Sequence, residues 1–478
     1  MERSIIASCE EGEIKVAVIE NSEVAELFIE RDSEDNILGN IYIAKVENIL
    51  PNLEAIFVDI GLEKSAYLPF KEIMSQKYDI DKIKKGDKIL VQVTKGAIST
   101  KGARITTNIS FPGRYVVYQP FDKGIGVSKN INSEEERDRL KKGLSKVIGD
   151  LKGGFIVRTE GEGIDEKFFS SEIKYLKKTW DKILTGFEKF NKPRLLHQDF
   201  GILFKMVREK LNDEIDFFAI DKYEDFKKTM SFVNMISPEY KGKLVFYNEN
   251  KSLFEKYGID SICENILKQK IYLKSGGYLI IQEAESLCAI DVNSGGTKGE
   301  NLEAVVLKTN LEAVKEVALQ LRLRNIGGII VIDFIDMYKS SHKDEVLNAL
   351  KDAVKVDKAR IKILPITQMG LIEMTRQRKT ESILSFLSEE CPYCHGTGRV
   401  YSKESMVLKI KRDLKGFADI LADKKTNVSI WLNPDFKNFI NAGKIKFLQK
   451  GIEQEIKLIY DYKIPVNQYE IKLEEGKT

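Results

Sequence analysis

The sequence is poor in the features that mark secreted and membrane-spanning proteins. Only five of its 478 residues are cysteines, and they are too scattered for a disulfide framework in a chain of this length. No apolar run approaches the ~20 residues of a membrane span. The N-terminus lacks the basic segment and the long apolar segment of a signal peptide. These absences predict a cytoplasmic protein with no membrane partner.

The sequence also lacks an excess of charge of one sign. Its 76 basic residues nearly balance its 73 acidic residues, which gives a net charge of +3. Since this balance creates no global field, any binding site for nucleic acid must be local. The charged fraction of 31% and the hydrophobic fraction of 42% are typical of a folded globular chain. The length predicts about three domains.

Two aspartates lie in strand-like apolar segments. Asp333 lies within the apolar run 328–335, and Asp291 lies near the end of the segment 287–292. Because an unpaired carboxylate in apolar surroundings is costly, such groups are usually paired, protonated or bound to a cation. A single aspartate of this kind more often caps a helix or pairs with a nearby Lys or Arg. Two of them favour one Mg²⁺ held at the carboxyl ends of neighbouring strands.

Five short strands with glycine turns between residues 40 and 107 predict a small closed β-barrel. Phe57 and Tyr67 could present aromatic faces for stacking, and Phe57 could equally belong to the barrel core. Basic residues follow the same strand pattern, namely Lys45, Lys64, Lys101 and Arg104. Aromatic rings for bases and cations for phosphates are the combination that binds single-stranded nucleic acid.

Two further segments could bind phosphate. Arg158 and Thr159 lie at a predicted strand end before a glycine turn, a position that suits a phosphate although an exposed structural Arg is commoner. The basic stretch 373–379 could hold a phosphate chain, or it could be the solvated face of a helix.

The remaining motif is a close cysteine pair, Cys391 and Cys394, followed by His395 and a glycine-rich turn. Structural zinc needs four ligands, and this pair supplies two. His395 could supply a third, or a second copy of the chain could supply another pair. A redox Cys-x-x-Cys and a turn without metal are the alternatives. The other three cysteines are expected to be small buried residues.

Several longer motifs are similar to those of the ribonuclease E/G family of bacterial endoribonucleases. They are Ala-Ile-Asp-Val-Asn-Ser at 289–294, Thr-Asn-Leu-Glu-Ala at 309–313, Gln-Leu-Arg-Leu-Arg at 320–324, Gly-Gly-Ile-Ile-Val-Ile-Asp-Phe-Ile-Asp-Met at 327–337, Gly-Leu-Ile-Glu-Met-Thr-Arg-Gln-Arg at 370–378 and Cys-Pro-Tyr-Cys-His-Gly-Thr-Gly at 391–398. Together these motifs are highly specific, and a weaker likeness extends over the whole chain.

The resemblance implies a multidomain α/β (α+β) chain with a barrel inserted in its first subdomain. The expected parts are a ribonuclease H-like subdomain (1–38 and 201–267), an S1-type barrel of the OB class (39–110), a 5′-phosphate sensor region (111–200), a deoxyribonuclease I-like catalytic subdomain (268–388), a zinc-link (389–399) and a small C-terminal α/β domain (400–478).

The resemblance also implies roles for individual residues. Asp291 and Asp333 would be the Mg²⁺ ligands, and Asn293 would orient Asp291. The other expected sites are RNA contacts at Phe57, Tyr67 and Lys101, a 5′-monophosphate pocket of Gly113, Val117, Arg158, Thr159 and Arg360, and a Zn²⁺ shared between chains by Cys391 and Cys394. Tyr stands at position 67 where Phe is usual. Gln368 stands where Arg is common, so this position lacks the positive charge that Arg would bring to a phosphate contact.

The implied activity is Mg²⁺-dependent hydrolysis of single-stranded RNA that leaves 5′-phosphate and 3′-hydroxyl ends. The expected substrates are 5′-monophosphorylated rRNA precursors and mRNA, in rRNA processing and mRNA decay. The chain resembles the short, ribonuclease G-like form without a degradosome scaffold arm, and a homodimer or a dimer of dimers is expected. Two alternatives are a non-catalytic RNA-binding protein that associates with ribosomes or rRNA, and a Mg²⁺-dependent nuclease acting on DNA.

Overall fold

A computed structural model describes residues 2–31, 37–75, 77–96, 102–149, 151–199, 201–295, 302–377, 380–417, 426–452 and 455–475. The chain divides into two compact units, Met1–Leu387 and Ser388–Thr478. Both units mix helices with sheets, in agreement with the predicted α/β class. None of the helices within these ranges combines the length and the apolar composition that crossing a bilayer requires.

The chain begins with an antiparallel meander of three strands. The three strands are β1 (Arg3–Glu10), β2 (Glu13–Glu20) and β3 (Glu23–Arg31). β1 is buried on both faces, so its sequence does not alternate between polar and apolar residues. β1 therefore lacks the period-two pattern that marks a half-buried strand in a sequence.

A closed five-stranded barrel follows, as the sequence predicted. Its strands are β4 (Ile41–Leu50), β5 (Ala55–Asp59), β6 (Ala66–Pro69), β7 (Lys88–Lys95) and β8 (Arg104–Thr106). They pair in the order β4-β5-β6-β8-β7, and β7 pairs back onto β4 to close the barrel. Ile56, Val58 and Leu68 point inward and are fully buried. Phe57 and Tyr67 alternate with these residues and therefore lie on the outer surface.

The next region packs two helices against a small sheet. Its elements are β9 (Phe111–Pro112), β10 (Val116–Gln119), β11 (Gly124–Val127), α1 (Glu134–Ile148), β12 (Gly154–Val157), α2 (Glu166–Lys189) and β13 (Arg194–His197), which adds to β4 of the barrel. Ser133 caps α1, because its hydroxyl accepts a hydrogen bond of 3.2 Å from the backbone N–H of Glu136. Ser133 with Glu136 three residues later is the sequence signature of a capping box.

The chain then returns to the first sheet. The elements are α3 (Ile202–Glu209), β14 (Phe217–Ile220), α4 (Tyr223–Ile236), β15 (Leu244–Phe246), α5 (Leu253–Lys256) and α6 (Ile259–Ile266). β14 pairs parallel to β1, which gives the strand order β15-β14-β1-β2-β3. Segments from before and after the barrel thus build one sheet, which is the arrangement expected for an inserted barrel.

A six-stranded sheet carries both predicted catalytic aspartates. Its region comprises β16 (Lys270–Tyr272), β17 (Tyr278–Glu283), β18 (Leu287–Asn293), α7 (Leu302–Leu323), β19 (Gly328–Asp333), α8 (Ser340–Ala353), β20 (Ile361–Ile363), β21 (Leu371–Arg376) and α9 (Ile383–Leu387). The strand order is β16-β17-β18-β19-β21-β20. Helix α7 connects the parallel neighbours β18 and β19. One face of the sheet packs against α7 and α8, and the other face is open.

Buried ion pairs fix this region in place. Arg322 of α7 donates hydrogen bonds of 3.0 and 2.9 Å to the carboxylate of Glu20 and one of 2.8 Å to Glu26. Arg376 bonds Asp357 at 2.7 Å and the carbonyl oxygen of Ile326 at 2.8 Å. Arg376 therefore lies in a buried strand position with a structural partner. The predictions that its basic stretch is a helix face or a phosphate site are wrong for this residue.

The second unit is a small α/β structure, as predicted. Its elements are α10 (Lys403–Gly416), β22 (Thr426–Leu432), α11 (Ala442–Gln449), β23 (Ile456–Tyr460) and β24 (Tyr469–Glu475). β22 is the central strand, with β23 parallel on one side and β24 antiparallel on the other. Helix α10 buries Met406, Val407 and Ile410 in the core of this unit.

Candidate active site

Asp291 and Asp333 are direct neighbours on adjacent parallel strands. The register of β18 and β19 pairs Asp291 with Asp333 as the last of five matched positions. Neighbouring strands lie about 4.8 Å apart, and side chains at matched positions of a parallel pair project from the same face. The two carboxylates therefore share one face at the carboxyl ends of their strands, where the sequence predicted them.

The two aspartates are nevertheless exposed, and the expectation that they lie in apolar surroundings was wrong. Cys288, Ile290 and Val292 of β18 are buried, whereas Ala289 and Asp291 face outward. β19 alternates in the same way, and its Ile329 is 52% exposed. Because only one face of the sheet is covered, an almost continuous apolar sequence leaves its alternate residues in solvent. A cost of burial is therefore not the reason to expect a cation at Asp291 and Asp333. The reason is the repulsion between two carboxylates that lie close together.

The electrostatics of the pair favour a cation. Partial burial and the neighbouring charges of Asp291 and Asp336 raise the pKa of Asp333. Asn293 donates a hydrogen bond of 2.8 Å from its amide to Oδ2 of Asp291, which fixes that carboxylate. Among the described residues, neither Asp291 nor Asp333 forms an ion pair with Lys or Arg.

The two exposed carboxylates offer the hard oxygen ligands that Mg²⁺ prefers. Mg²⁺ binds one or two carboxylates and keeps several of its waters. A site built from protein ligands alone would need more groups. Within the described ranges, no cluster of three or more His, Cys, Asp or Glu side chains could hold a metal ion. The pair thus suits a hydrated cation that also contacts a substrate.

Asn310 positions the loop after Asp333, a role that the sequence did not reveal. Its side chain on α7 is buried, donates to the carbonyl oxygen of Ile335 at 2.9 Å and accepts from the N–H of Ile335 at 3.1 Å. A polar residue at a helix position that faces the core was the available signal, because such a residue needs a buried partner.

The predicted phosphate-pocket residues Gly113, Arg158 and Thr159 lie close together. Arg158 donates a hydrogen bond of 2.6 Å to the carbonyl oxygen of Gly113. Thr159 is exposed, and its hydroxyl lies 3.1 Å from that of Ser128. A Cβ atom at Gly113 would lie 2.6 Å from the carboxylate of Glu172, so only glycine fits there. Val117 is half-buried on β10, where it pairs with Pro112 on one side.

Glu172 holds this pocket together and was missed in the sequence. It is buried on α2 and accepts hydrogen bonds from the backbone N–H groups of Arg114, Tyr115 and Val116. Burial raises the pKa of Glu172 to about 7, even though these amides and Arg158 act to lower it. Glu172 lies at a core position of α2 between Phe169 and Leu176, so an acidic residue in the apolar stripe was the readable signal.

The segment that contains Arg360 contacts the region around Arg158. Lys358 lies 3.7 Å from the carboxylate of Glu160, and Glu160 lies 3.7 Å from Nε of Arg158. Arg360 itself is exposed, and its carbonyl oxygen accepts a hydrogen bond of 2.9 Å from Gln377. The structure therefore brings the segments of Arg158 and Arg360 together through one shared carboxylate. Gln368 is exposed.

The two barrel aromatics form one surface pair. Phe57 and Tyr67 are matched across β5 and β6, and their ring centroids lie 5.8 Å apart. Both rings are half-buried, so each retains an accessible part. Phe57 is therefore not a core residue, which was the alternative for it. Lys101, the third predicted RNA contact, lies outside the described residues.

The cysteine pair of the second unit lies in a turn that stabilises the thiolate form of Cys391. The backbone N–H groups of Cys394 and Tyr393 lower the pKa of Cys391. The N–H of Gly398 donates to the sulfur of Cys394 at 3.3 Å. Cys9 and Cys288 are buried instead, and burial raises the pKa of each to about 12. Cys263 is half-buried, so the expectation that the other three cysteines are buried is correct for Cys9 and Cys288 only. The turn of Cys391 and Cys394 suits a metal that prefers thiolates.

Comparison with known proteins agrees with this geometry. A family model described as the Ribonuclease E/G family matches residues 110–379. Ribonuclease G of Haemophilus influenzae is 38% identical over 418 residues, which cover 84% of this chain and 85% of the relative. Ribonuclease G of Escherichia coli K12 is 38% identical over 432 residues, covering 87% and 88%. Ribonuclease E of the same strain is 35% identical over 426 residues, covering 86% of this chain and 40% of the relative.

Proposed function

The chain belongs to the ribonuclease E/G family and is an endoribonuclease. From this premise we propose that it hydrolyses single-stranded RNA at Asp291 and Asp333 with a bound Mg²⁺. The products are 5′-phosphate and 3′-hydroxyl ends. The observation that carries the proposal is the matched register of the two aspartates on an open sheet face. This juxtaposition of like charges costs free energy unless a cation compensates it.

The protein's own residues supply positioning and charge. Asp291 and Asp333 hold the cation, and Asn293 keeps the Asp291 carboxylate in one orientation through its 2.8 Å hydrogen bond. Mg²⁺, when bound there, lowers the pKa of a coordinated water and stabilises negative charge on the phosphate. The open face leaves both carboxylates accessible to an RNA backbone. The proposal requires no histidine, and His342 lies 3.0 Å from the carboxylate of Glu303.

The outer face of the barrel binds the single strand. The Phe57–Tyr67 pair provides stacking surfaces, and base stacking on aromatic rings is tolerant of sequence. Lys101 completes this site in the proposal. The expected targets are rRNA precursors and mRNA, and the expected location is the cytoplasm. Relatives named ribonuclease G over most of the chain favour the enzyme over the non-catalytic RNA-binding alternative.

The subdomain assignments belong to the same proposal. The strand order β15-β14-β1-β2-β3 supports a ribonuclease H-like subdomain, and the closed barrel supports an S1-type domain. The sheet that carries the aspartates would be the deoxyribonuclease I-like catalytic subdomain.

A cleavage assay with matched oligonucleotides tests the proposed function. We expect a 5′-monophosphorylated, A/U-rich single-stranded RNA to be cut with Mg²⁺ and not with EDTA, because the carboxylates alone cannot activate water. The matched DNA and the same RNA in a duplex should remain intact. End-group mapping should find 5′-phosphates. Terminal 2′,3′-cyclic phosphates would show attack by the 2′-hydroxyl instead of water, and equal turnover of DNA would overturn the RNA assignment.

The pocket of Gly113, Val117, Arg158, Thr159 and Arg360 binds the 5′-monophosphate in this proposal. Arg158 is the natural clamp, because charge-assisted hydrogen bonds from a guanidinium match the phosphate geometry. Its present partner is a neutral carbonyl oxygen, that of Gly113, and the carboxylate of Glu160 lies at a longer distance of 3.7 Å. A phosphate could therefore be added without breaking a close ion pair.

We expect Arg158→Ala to reduce the preference for 5′-monophosphorylated over 5′-hydroxyl RNA by about tenfold or more, the effect of losing a hydrogen bond to a charged group. The ratio of kcat/KM values for the two substrates measures this preference. Cleavage of the 5′-hydroxyl RNA should be unchanged. Arg412→Ala, at an exposed position of α10, is the control and should leave the ratio unchanged. An equal loss on both substrates would show that Arg158 is structural.

The cysteine turn binds zinc between two chains in the same proposal. Each chain offers the thiolates of Cys391 and Cys394, and tetrahedral structural zinc takes four ligands. The lowered pKa of Cys391 favours the thiolate that the metal binds. Two chains would complete one site, which gives a homodimer or a dimer of dimers.

A further inference from the structure

An aromatic and cationic cluster lies on the same open face as the two aspartates. Register pairs Tyr272 of β16 with Tyr278 of β17, and Tyr278 with Asn293 of β18. The neighbouring row runs from Lys270 through Ile280 to Asp291 and on to Asp333. Residues matched across a sheet project from the same face. The two tyrosines and Lys270 therefore flank the candidate active site along the sheet.

The cluster is compact and reaches into solvent. The ring centroids of Tyr272 and Tyr278 lie 6.3 Å apart at an interplanar angle of 60°. The ammonium group of Lys270 lies 3.7 Å from the ring centroid of Tyr278 and 4.9 Å from that of Tyr272. Tyr272 is 72% exposed, so most of its ring surface is available. Among the residues that the structure describes, no carboxylate pairs with Lys270.

A structural role explains only part of this cluster. A cross-strand aromatic pair stabilises a hairpin, and a lysine on an edge strand discourages pairing with another chain. These effects account for the half-buried Tyr278 and for a charge on β16. They do not require an aromatic ring at position 272, because most of that ring contacts solvent and not its neighbours.

The distance from the aspartates suits the adjacent part of the same RNA strand. β16 lies two strands away from β18, which corresponds to roughly 10 Å across the sheet. An RNA strand with one backbone phosphate at Asp291 and Asp333 can place a neighbouring base over Tyr272. Stacking platforms with nearby cations are the way in which proteins hold single-stranded nucleic acid.

We propose that Tyr272, supported by Tyr278 and Lys270, forms a base-stacking subsite beside the scissile phosphate. A nucleobase of the single-stranded substrate stacks on the ring of Tyr272, and the ammonium group of Lys270 contacts a backbone phosphate. The subsite positions the RNA strand across the open sheet face and is separate from the aromatic pair on the barrel. This inference rests on the proposed function, because it assumes that RNA is cut at the aspartate pair.

Kinetics of three variants test the subsite. Tyr272→Leu keeps an apolar side chain but removes the aromatic face, and it should raise KM by about 5- to 100-fold, the loss expected for one base–aromatic stack. The kcat value should stay close to that of the wild type. Tyr272→Phe keeps the ring and should restore the wild-type KM. Tyr462→Leu removes a tyrosine that is 85% exposed in the second unit and serves as the control.

Fluorescence locates the stacked base. Oligonucleotides with 2-aminopurine at single positions around the cleavage site are bound to the Asp333→Asn variant, which should leave them uncut. Quenching should occur at one flanking position and should disappear when Tyr272→Leu is added. Lys270→Met should reduce the slope of log affinity against log salt by about 0.7, the value for one phosphate contact to a single strand.

The outcomes separate the subsite from the proposed function. If the wild type does not cleave RNA, the proposed function fails. If the wild type cleaves RNA but Tyr272→Leu shows the wild-type KM and the same quenching, the subsite alone is wrong. A Tyr272→Phe variant as impaired as Tyr272→Leu would likewise contradict stacking, because the phenyl ring keeps the aromatic face.

Discussion

Asp333→Asn should reduce the rate of RNA cleavage at least about a thousandfold, because the metal contributes several kcal/mol of charge stabilisation and each 1.36 kcal/mol is a factor of ten in rate. The amide keeps the size of the side chain but removes one of the two charges that hold the cation. Since Asp333 is exposed on the open sheet face, the substitution should not disturb the core. Single-turnover cleavage of the RNA measures the effect.

Binding separates this catalytic role from a role in RNA affinity. Fluorescence anisotropy with the same RNA should give Asp333→Asn a dissociation constant close to that of the wild type, because the proposed RNA contacts on the barrel do not involve Asp333. Asp352→Asn changes an exposed aspartate on α8 and is the matched control. It should cleave at the wild-type rate. Cleavage by Asp333→Asn at a rate near that of the wild type would contradict the assigned role.

Cys391→Ser should abolish zinc binding and separate the chains. Each chain offers two thiolates, so a shared tetrahedral site predicts about half a zinc per chain in the wild type. Serine cannot supply the thiolate that the amides of Cys394 and Tyr393 favour at this position. Metal analysis measures the zinc content, and light scattering measures the oligomeric state.

Cys263→Ser is the control for the zinc prediction. Cys263 is half-buried, and burial raises the pKa of its thiol, so it is a poor metal ligand. This variant should keep the zinc content and the oligomeric state of the wild type. One full zinc per chain that persists after dilution to monomers would contradict the shared site. It would favour a site completed within one chain, for example with His395.

The reason for which the sequence singled out Asp291 and Asp333 was only partly correct. Apolar neighbours in both strands suggested burial, but alternation leaves Asp291 and Asp333 on the exposed face. The register that places them side by side depends on the crossover helix α7, which brings β19 next to β18. A pattern of single residues along the chain shows strands, but it does not show which strands become neighbours.

The local structure was the most predictable part of the fold. The five barrel strands and the Ser133 cap follow from alternation and from a short capping motif. By contrast, β1 shows no alternation because both of its faces are buried, and the stretch around Arg376 was interpreted as a phosphate site or a helix face because its charges suggested solvent. Arg376 is buried by a distant partner, Asp357, which no local pattern indicates.

The proposed phosphate pocket shows the same limit. Arg158 and Thr159 stand out as a cation and a hydroxyl before a glycine turn, and the structure places them beside Gly113. The need for glycine at position 113 comes from Glu172, which lies on another element and contacts Gly113 only in the folded chain. Long-range contacts of this kind decide the shape of the site, and a single sequence does not contain them.

Binding of Mn²⁺ as a spectroscopic substitute for Mg²⁺ tests the pair of aspartates most directly. Electron paramagnetic resonance of the wild type during Mn²⁺ titration should show one bound ion per chain that Mg²⁺ displaces. The double variant Asp291→Asn/Asp333→Asn should lose that ion while its thermal unfolding stays unchanged. If the double variant binds Mn²⁺ with the same stoichiometry and affinity as the wild type, the two carboxylates do not hold the metal.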